Sequence, residues 1–166
     1  MQTMINGTTA SQGTSANILV ITGDAEVKSF INNLMLLKRL RAGITESIEN
    51  ATHFLKSNAP PDIIILDLDL SESIMLEFVR QIRGQQNLAR LPILVLTSFP
   101  DPTLVRQALD AGANRYVTKM FMNQNLLPTI QEMISQIPPV APRQTGSLRQ
   151  TASLRQSAAI STDSGG

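Results

Sequence analysis

Four apolar runs in this chain end in side chains able to carry charge or a proton. "PDIIILDLDL" strings together Ile63 to Leu66 and then delivers Asp67 and Asp69; "ILVLTS" ends in Thr97 and Ser98. "RYVTK" ends in Thr118 and Lys119, and "ILVIT" in Thr22, with Gly23 and Asp24 following. A charge at the edge of a core costs several kcal/mol unless something compensates it. Asp67 therefore needs a partner, and Lys119 is the candidate counter-ion. A carboxylate, a hydroxyl and an ammonium on one rim make a set for holding a phosphoryl group. The carboxylate attacks, while Thr97 and Lys119 bind the oxygens on which charge accumulates. The plainer use of the same residues is an Asp67–Lys119 ion pair, with Thr97 bonded to backbone at a strand end.

Those side chains meet only if their runs are neighbouring strands. "ILVI" (18–21), "IIIL" (63–66) and "ILVL" (93–96) are continuous rather than alternating, the pattern of strands covered on both faces, as in parallel sheets. "ITESI" (44–48) and "YVT" (116–118) are weaker strand candidates. Between them lie helical faces. Val27, Phe30, Ile31, Leu34 and Leu37 form the first, and a short helix covers Ala51 to Ser57. Ile74, Phe78, Val79 and Ile82 form the next, then Leu104, Val105, Ala108 and Leu109. The last carries Leu126, Leu127, Ile130, Met133, Ile134 and Ile137. Asp24 and Asp101 are expected N-caps, with Pro102 at a first helical position, and Gly43 and Gly112 are expected helix stops. Pro128 costs about 3 kcal/mol in a helix interior, so the last helix is expected to begin near Asn125, with Pro128 in its first turn. Five alternations of strand and helix make an α/β doubly wound parallel sheet, whose ligands lie outside the carboxyl ends of the strands.

The chain has 166 residues, enough for one core, with a net charge of +1 and no cysteine. The near-neutral charge gives no case for nucleic acid, and no apolar run is long enough to span a membrane. A cytoplasmic protein is expected. Residues 1–16 are polar and uncharged and are expected to be a disordered leader; 17–137 is the expected domain. Beyond "IPPVAP", residues 138–166 are expected to be a disordered, low-complexity tail in which "SLRQ" occurs twice, at Ser147 and Ser153.

At these residues the chain resembles a response-regulator receiver domain over nearly all of 17–137. "PDIIILDLDL" is similar to the strand carrying the phosphoacceptor aspartate, and "LPILVLTS" to the strand carrying the hydroxyl switch residue. "ALDAGANRYVTK" is similar to the segment carrying the aromatic switch and the lysine. The intervals, 30 residues from Asp67 to Thr97 and 22 from Thr97 to Lys119, also fit. The resemblance implies a five-stranded sheet of order 2-1-3-4-5, the doubly wound order that receiver proteins share with flavodoxin. It implies Asp67 as phosphoacceptor, Thr97 and Lys119 as phosphoryl-binding residues, and Thr97 and Tyr116 as switch residues. Three departures from the family pattern stand out. Thr22 and Gly23 stand where it has an acidic pair, Ser71 where it has proline after the third strand, and Met120 where it has proline after the lysine.

The family's pocket has three carboxylates and one lysine, which a Mg²⁺ ion neutralises. Asp67 and Lys119 alone balance to zero, so Mg²⁺ is expected to bind weakly, with Asp67, Asp69 and Asp24 as its candidate ligands. Asp24 has a competing role as a cap, and Asp69 is free to point outward. The expected function is a single-domain receiver in a phosphorelay, receiving phosphate from a histidine kinase or phosphotransfer protein and acting by protein contact. The alternative is a pseudo-receiver adaptor that binds partners without phosphate. An enzyme is not expected: "VITGDAEV" has one glycine where a dinucleotide-binding turn needs several. The lone histidine, His53, lies on a helix away from the rim, unsuited to a hydrolase triad.

Overall fold

Aliphatic runs that cannot alternate must be covered on both faces, and a computed structural model of the protein, which describes residues 16–38 and 40–136, covers them so. The elements are β1 (Asn17–Ile21), α1 (Ala25–Lys38), β2 (Arg41–Thr45), α2 (Ile48–Ser57), β3 (Ile63–Asp67) and α3 (Glu72–Gly84). They continue with β4 (Ile93–Thr97), α4 (Pro102–Ala111), β5 (Arg115–Thr118) and α5 (Met122–Ser135). The strands pair in parallel in the order β2-β1-β3-β4-β5, the topology implied by the receiver resemblance. Ile64 and Leu66 point with Leu19, Ile21, Ile93 and Val95 toward α2, α3 and α4. Ile63 and Ile65 point with Ile18, Val20, Leu94, Leu96 and Val117 toward α1 and α5. Each fully buried aliphatic side chain contributes roughly 1.5–3 kcal/mol, so the central strands anchor both layers.

Two helix-end expectations hold. Asp101 Oδ1 accepts from Thr103 N (2.8 Å) and Leu104 N (3.1 Å), and Pro102 follows as the first helical residue. Gly112 ends α4 at φ 119°, a left-handed conformation suited to glycine.

Several expectations need correction. The second strand is Arg41–Thr45 rather than 44–48, because Ser47 is a helix cap whose hydroxyl accepts from Asn50 N at 3.2 Å. Gly43 is therefore a strand residue and not a helix stop, and a Cβ there would lie 2.8 Å from Phe54 Cε2. On α1, Met35 is buried in place of Leu37, which is 78% exposed. Ile74 and Leu109 are also exposed, and Met75, Leu76 and Ala111 take up the contacts. A 3-10 turn, Lys119–Phe121, leads directly into α5, so the helix starts three residues before Asn125 and places Pro128 inside it, past the first turn. Ala16, assigned to the leader, is buried and accepts from Arg41 N at 3.0 Å. Residues 1–15, Ile137 and the tail lie outside the described residues.

At the amino end of the sheet, Arg83 at the end of α3 joins segments that follow it. Its guanidinium donates to the carbonyls of Gly112 (2.9 Å), Ala89 (3.1 Å) and Leu91 (2.7 Å) and to Asn114 Oδ1 (2.9 Å). Burial pushes its pKa below the usual guanidinium value.

Candidate functional site

The strand register brings the expected side chains to one rim. Ile21 pairs with Leu66, Asp67 with Leu96, and Thr97 with Thr118, so Thr22, Asp67, Thr97 and Lys119 all emerge at carboxyl ends of adjacent strands. Asp67 closes β3 and is 1% exposed.

Lys119 lies at the centre of this rim. Its ammonium is 2.9 Å from Asp67 Oδ2, 2.8 Å from Asp69 Oδ2 and 3.0 Å from Asp24 Oδ2. An ammonium has three donors, and here three carboxylates, from the β1–α1 and β3–α3 loops and the end of β3, take them. Burial opposes the charge on Lys119, but the hydrogen bonds to Asp69, Asp67 and Asp24 outweigh it and raise its pKa above the usual lysine value. The expected counter-ion of Asp67 is thus its partner, shared with two further acids.

Asp24 fills both roles that its sequence position suggested. Oδ1 caps α1, accepting from Glu26 N (2.8 Å) and Val27 N (3.3 Å), while Oδ2 accepts from Lys119. The Lys119 hydrogen bond is the main cause of its lowered pKa, and the two backbone donors add to it.

Asp69 does not point outward. It turns back across the rim to accept from Ser98 N (3.1 Å) and Ser98 Oγ (2.5 Å) as well as from Lys119. Burial works against its charge, yet the donors from Lys119 and Ser98 hold its carboxyl below the ordinary aspartate value. Three carboxylates against one ammonium leave the rim a formal −2. The zero balance expected from Asp67 and Lys119 alone is therefore corrected.

Thr22, at a position where the family pattern has an acid, was expected on the rim but not as a partner of Asp67. Fully buried, its hydroxyl donates to Asp67 Oδ2 at 2.6 Å and accepts from Asp24 N at 3.1 Å. The signal was present in the sequence as a hydroxyl directly after a buried strand. Gly23 leaves an open place beside it, which Leu70 fills: a Cβ at Gly23 would lie 2.7 Å from Leu70 Cδ2. Asp67 Oδ1 accepts from Asp69 N at 3.1 Å.

Thr97 lies on the rim but faces elsewhere. Its hydroxyl is 3.0 Å from Phe99 O, accepts from Phe99 N at 3.3 Å, and is 3.4 Å from Asp69 Oδ1. It therefore reaches Asp67 only through Asp69. Tyr116, on β5, is 45% exposed and lines a cavity with Phe121, Pro128 and Glu132. His53 is exposed on α2. Ser71 precedes α3 without capping it through its side chain, and Met120 is exposed in the 3-10 turn.

The donor set does not fit a magnesium ion as arranged. Thr22 uses its hydroxyl on Asp67, Gly23 offers no side chain, and the three carboxylates surround an ammonium at 2.8–3.0 Å. Mg²⁺ demands oxygen ligands at about 2.0–2.1 Å in near-octahedral order. No group of three or more acidic, histidine or cysteine side chains among the described residues is arranged around a metal position.

The sequence matches the model of the response regulator receiver domain over residues 18–131. It is 28% identical over 105 residues to the KDP operon transcriptional regulatory protein KdpE of Escherichia coli, covering 63% of this chain and 45% of that protein. To the two-component response regulator ORR8 of Oryza sativa it is 27% identical over 106 residues, covering 63% and 87%. The chain thus spans less than half of the first relative and most of the second. The fold is similar to a putative response regulator from Chloroflexus aurantiacus, with TM-score 0.67 and 24% identity over 73% of this chain and 98% of that one. It is also similar to the receiver domain of the sensor histidine kinase PA1611 from Pseudomonas aeruginosa, which holds a magnesium ion in its active-site cleft (TM-score 0.63, 23% identity, 73% and 98% covered). With its strand order, its rim and this family match in place, the chain belongs to the response-regulator receiver domains of two-component signalling.

Proposed function

We propose that Asp67 accepts a phosphoryl group from a histidine kinase or phosphotransfer protein and that the domain passes the signal on by protein contact. The observation that carries this reading is the Asp67–Lys119 pair, 2.9 Å apart at the end of the central strand. Thr22 and Lys119 hold Oδ2, which leaves Oδ1, with one backbone donor at 3.1 Å, as the attacking oxygen. In the transfer, an Oδ1–P bond forms as the P–N bond of a phosphohistidine breaks, and the freed imidazole nitrogen retains the bonding electrons. Lys119 then neutralises phosphoryl oxygens, and Thr97 reaches them after its hydroxyl leaves Phe99 O. Because Asp67 is 1% exposed, the donor approaches only when the rim opens.

A second reading, a receiver that works as an adaptor without phosphate, is favoured by one observation: Thr22 Oγ1 lies 2.6 Å from Asp67, where the family pattern has a carboxylate. The two readings part on one measurement. The folded protein is incubated with phosphoramidate, with and without Mg²⁺, and weighed intact. The proposal expects a single added phosphoryl group, absent from Asp67→Asn and labile to hydroxylamine as an acyl phosphate is. A mass that stays unchanged in every arm supports the adaptor.

A further inference from the structure

We infer that the amino end of the β2 edge, built from Leu36, Leu37, Lys38 and Arg41, is a docking surface for an anionic lipid bilayer. It lies at the end of the sheet opposite the Asp67 rim, and the inference holds whether or not Asp67 takes phosphate.

Three observations carry it. The inner stripe of α1 is filled by Val27, Ile31, Leu34 and Met35, and its outer face is polar at Ser29, Asn32 and Asn33. The last turn breaks that division, for Leu36 and Leu37 are 81% and 78% exposed. Charge is the second observation. Lys38 follows the leucines, Arg41 opens β2, and Lys56 lies in the last turn of α2, all three exposed. No carboxylate among the described residues pairs with any of them, whereas Lys28, Arg80, Arg106, Arg115 and Lys119 all have acidic partners. Asp62, the acid that precedes β3 at this end, accepts from Asn17 N at 2.7 Å. The third observation is space. Arg41 borders a cavity of about 300 Å³, lined also by Asn17, Phe54, Asn58 and Pro61, with room for a phosphate-bearing headgroup beside the guanidinium.

Cations in the last turns of α1 and α2 also complement the negative ends of those helices, which accounts for Lys38 and Lys56. It does not account for Arg41, which is on a strand, or for two leucines left in water. Side chains that protrude this far lie in no groove that a partner protein could fill. Exposed leucines flanked by cations make an interfacial anchor: the leucines enter below the headgroups while the cations meet the phosphates. Docked in this way, the domain turns its carboxyl rim away from the bilayer, open to a protein partner.

Co-sedimentation of the full chain with vesicles of phosphatidylcholine, with and without phosphatidylglycerol, tests this. Binding is expected only to the vesicles that contain phosphatidylglycerol. Leu36→Ser/Leu37→Ser and Lys38→Gln/Arg41→Gln should each weaken it by about tenfold or more. Both variants should melt close to the wild type, since the side chains replaced are exposed, and should match it in the intact-mass assay for phosphoryl uptake. Loss of vesicle binding is thereby told apart from failure of the phosphoacceptor reading. Wild-type sedimentation that is absent, or equal with both kinds of vesicle, overturns the inference. So does a leucine variant that binds as the wild type does, which would make the surface one for any polyanion. A Lys38→Gln/Arg41→Gln variant that binds undiminished overturns it as well, by placing the attraction elsewhere in the chain.

Discussion

The two ends of the sheet are each tied by one half-buried cation, and the cations differ in what they hold. At the amino end, Arg83 donates only to neutral acceptors: three backbone carbonyls and the side-chain oxygen of Asn114. At the carboxyl end, Lys119 holds three carboxylates. A guanidinium's fixed fork suits carbonyls set in several directions, while an ammonium is a compact charge that follows its counter-ions. Neutral acceptors do not titrate and give little response to salt or to an arriving anion. Carboxylates respond to all three. The amino end is therefore a permanent fastening, and the carboxyl end is one that a proton, a salt or a phosphoryl group can loosen.

The largest expected effect lies at the fixed end. Arg83→Ala takes the donor from three carbonyls, leaves Asn114 Oδ1 only its bond from Ile93 N, and removes packing over Gly112, at a cost of about 3–4 kcal/mol. Urea denaturation should show that loss, nearly unchanged between low salt and high salt. A salt-dependent loss would erase the contrast between the two ends.

The carboxyl end should yield somewhat less. In metal-free buffer Lys119→Met leaves Asp24, Asp67 and Asp69 without their ammonium, two of them partly exposed, and should cost about 2–3 kcal/mol. Asp67→Asn keeps an oxygen for Thr22 and Lys119 and should cost about 1 kcal/mol. The double variant should recover part of the sum, because Asp67 no longer adds its charge to those of Asp24 and Asp69, which remain without the ammonium. Strict additivity across that cycle, measured by the same denaturation, would show that the two residues do not couple.

The smallest effect is a matter of pH. Asp24 and Asp69 have lowered pKa values, so their stabilisation is complete above the ordinary aspartate value of 3.8 and is lost as pH falls through their depressed values. Lys119 has a raised one, so its stabilisation is complete below the ordinary 10.5 and is lost as pH rises beyond it. Melting temperature against pH should be flat in between and fall at both extremes. In Lys119→Met the alkaline fall attributable to this residue should vanish and the acid fall should be shallower; a profile identical to the wild type would count against the cluster.

The central strands and the rim were legible because continuous aliphatic runs leave little choice of covering, and because the polar side chains follow those runs directly. β2 was misplaced for the converse reason. It is an edge strand of mostly half-buried residues, "RAGIT", whose apolar signal is weaker than that of Ile44 to Ile48, and the cap at Ser47 cut that window short. The start of α5 was hidden because the 3-10 turn continues the chain into it, and propensity at Pro128 alone does not outweigh the packing of Leu126, Ile130 and Met133. The inward turn of Asp69 depends on Ser98 and Lys119, distant in sequence, and Arg83 is satisfied largely by backbone oxygens that leave no mark on residue type.

Leu70 lying over Gly23 bears on how such a rim can change by descent. Since a Cβ at position 23 would come within 2.7 Å of Leu70 Cδ2, an acidic side chain there displaces Leu70, and trimming Leu70 first removes a contact with nothing yet to fill its place. Either step alone carries a cost that the other would relieve. The two positions are therefore coupled, and a side chain at position 23 enters most easily where the half-exposed Leu70 swings its tip aside.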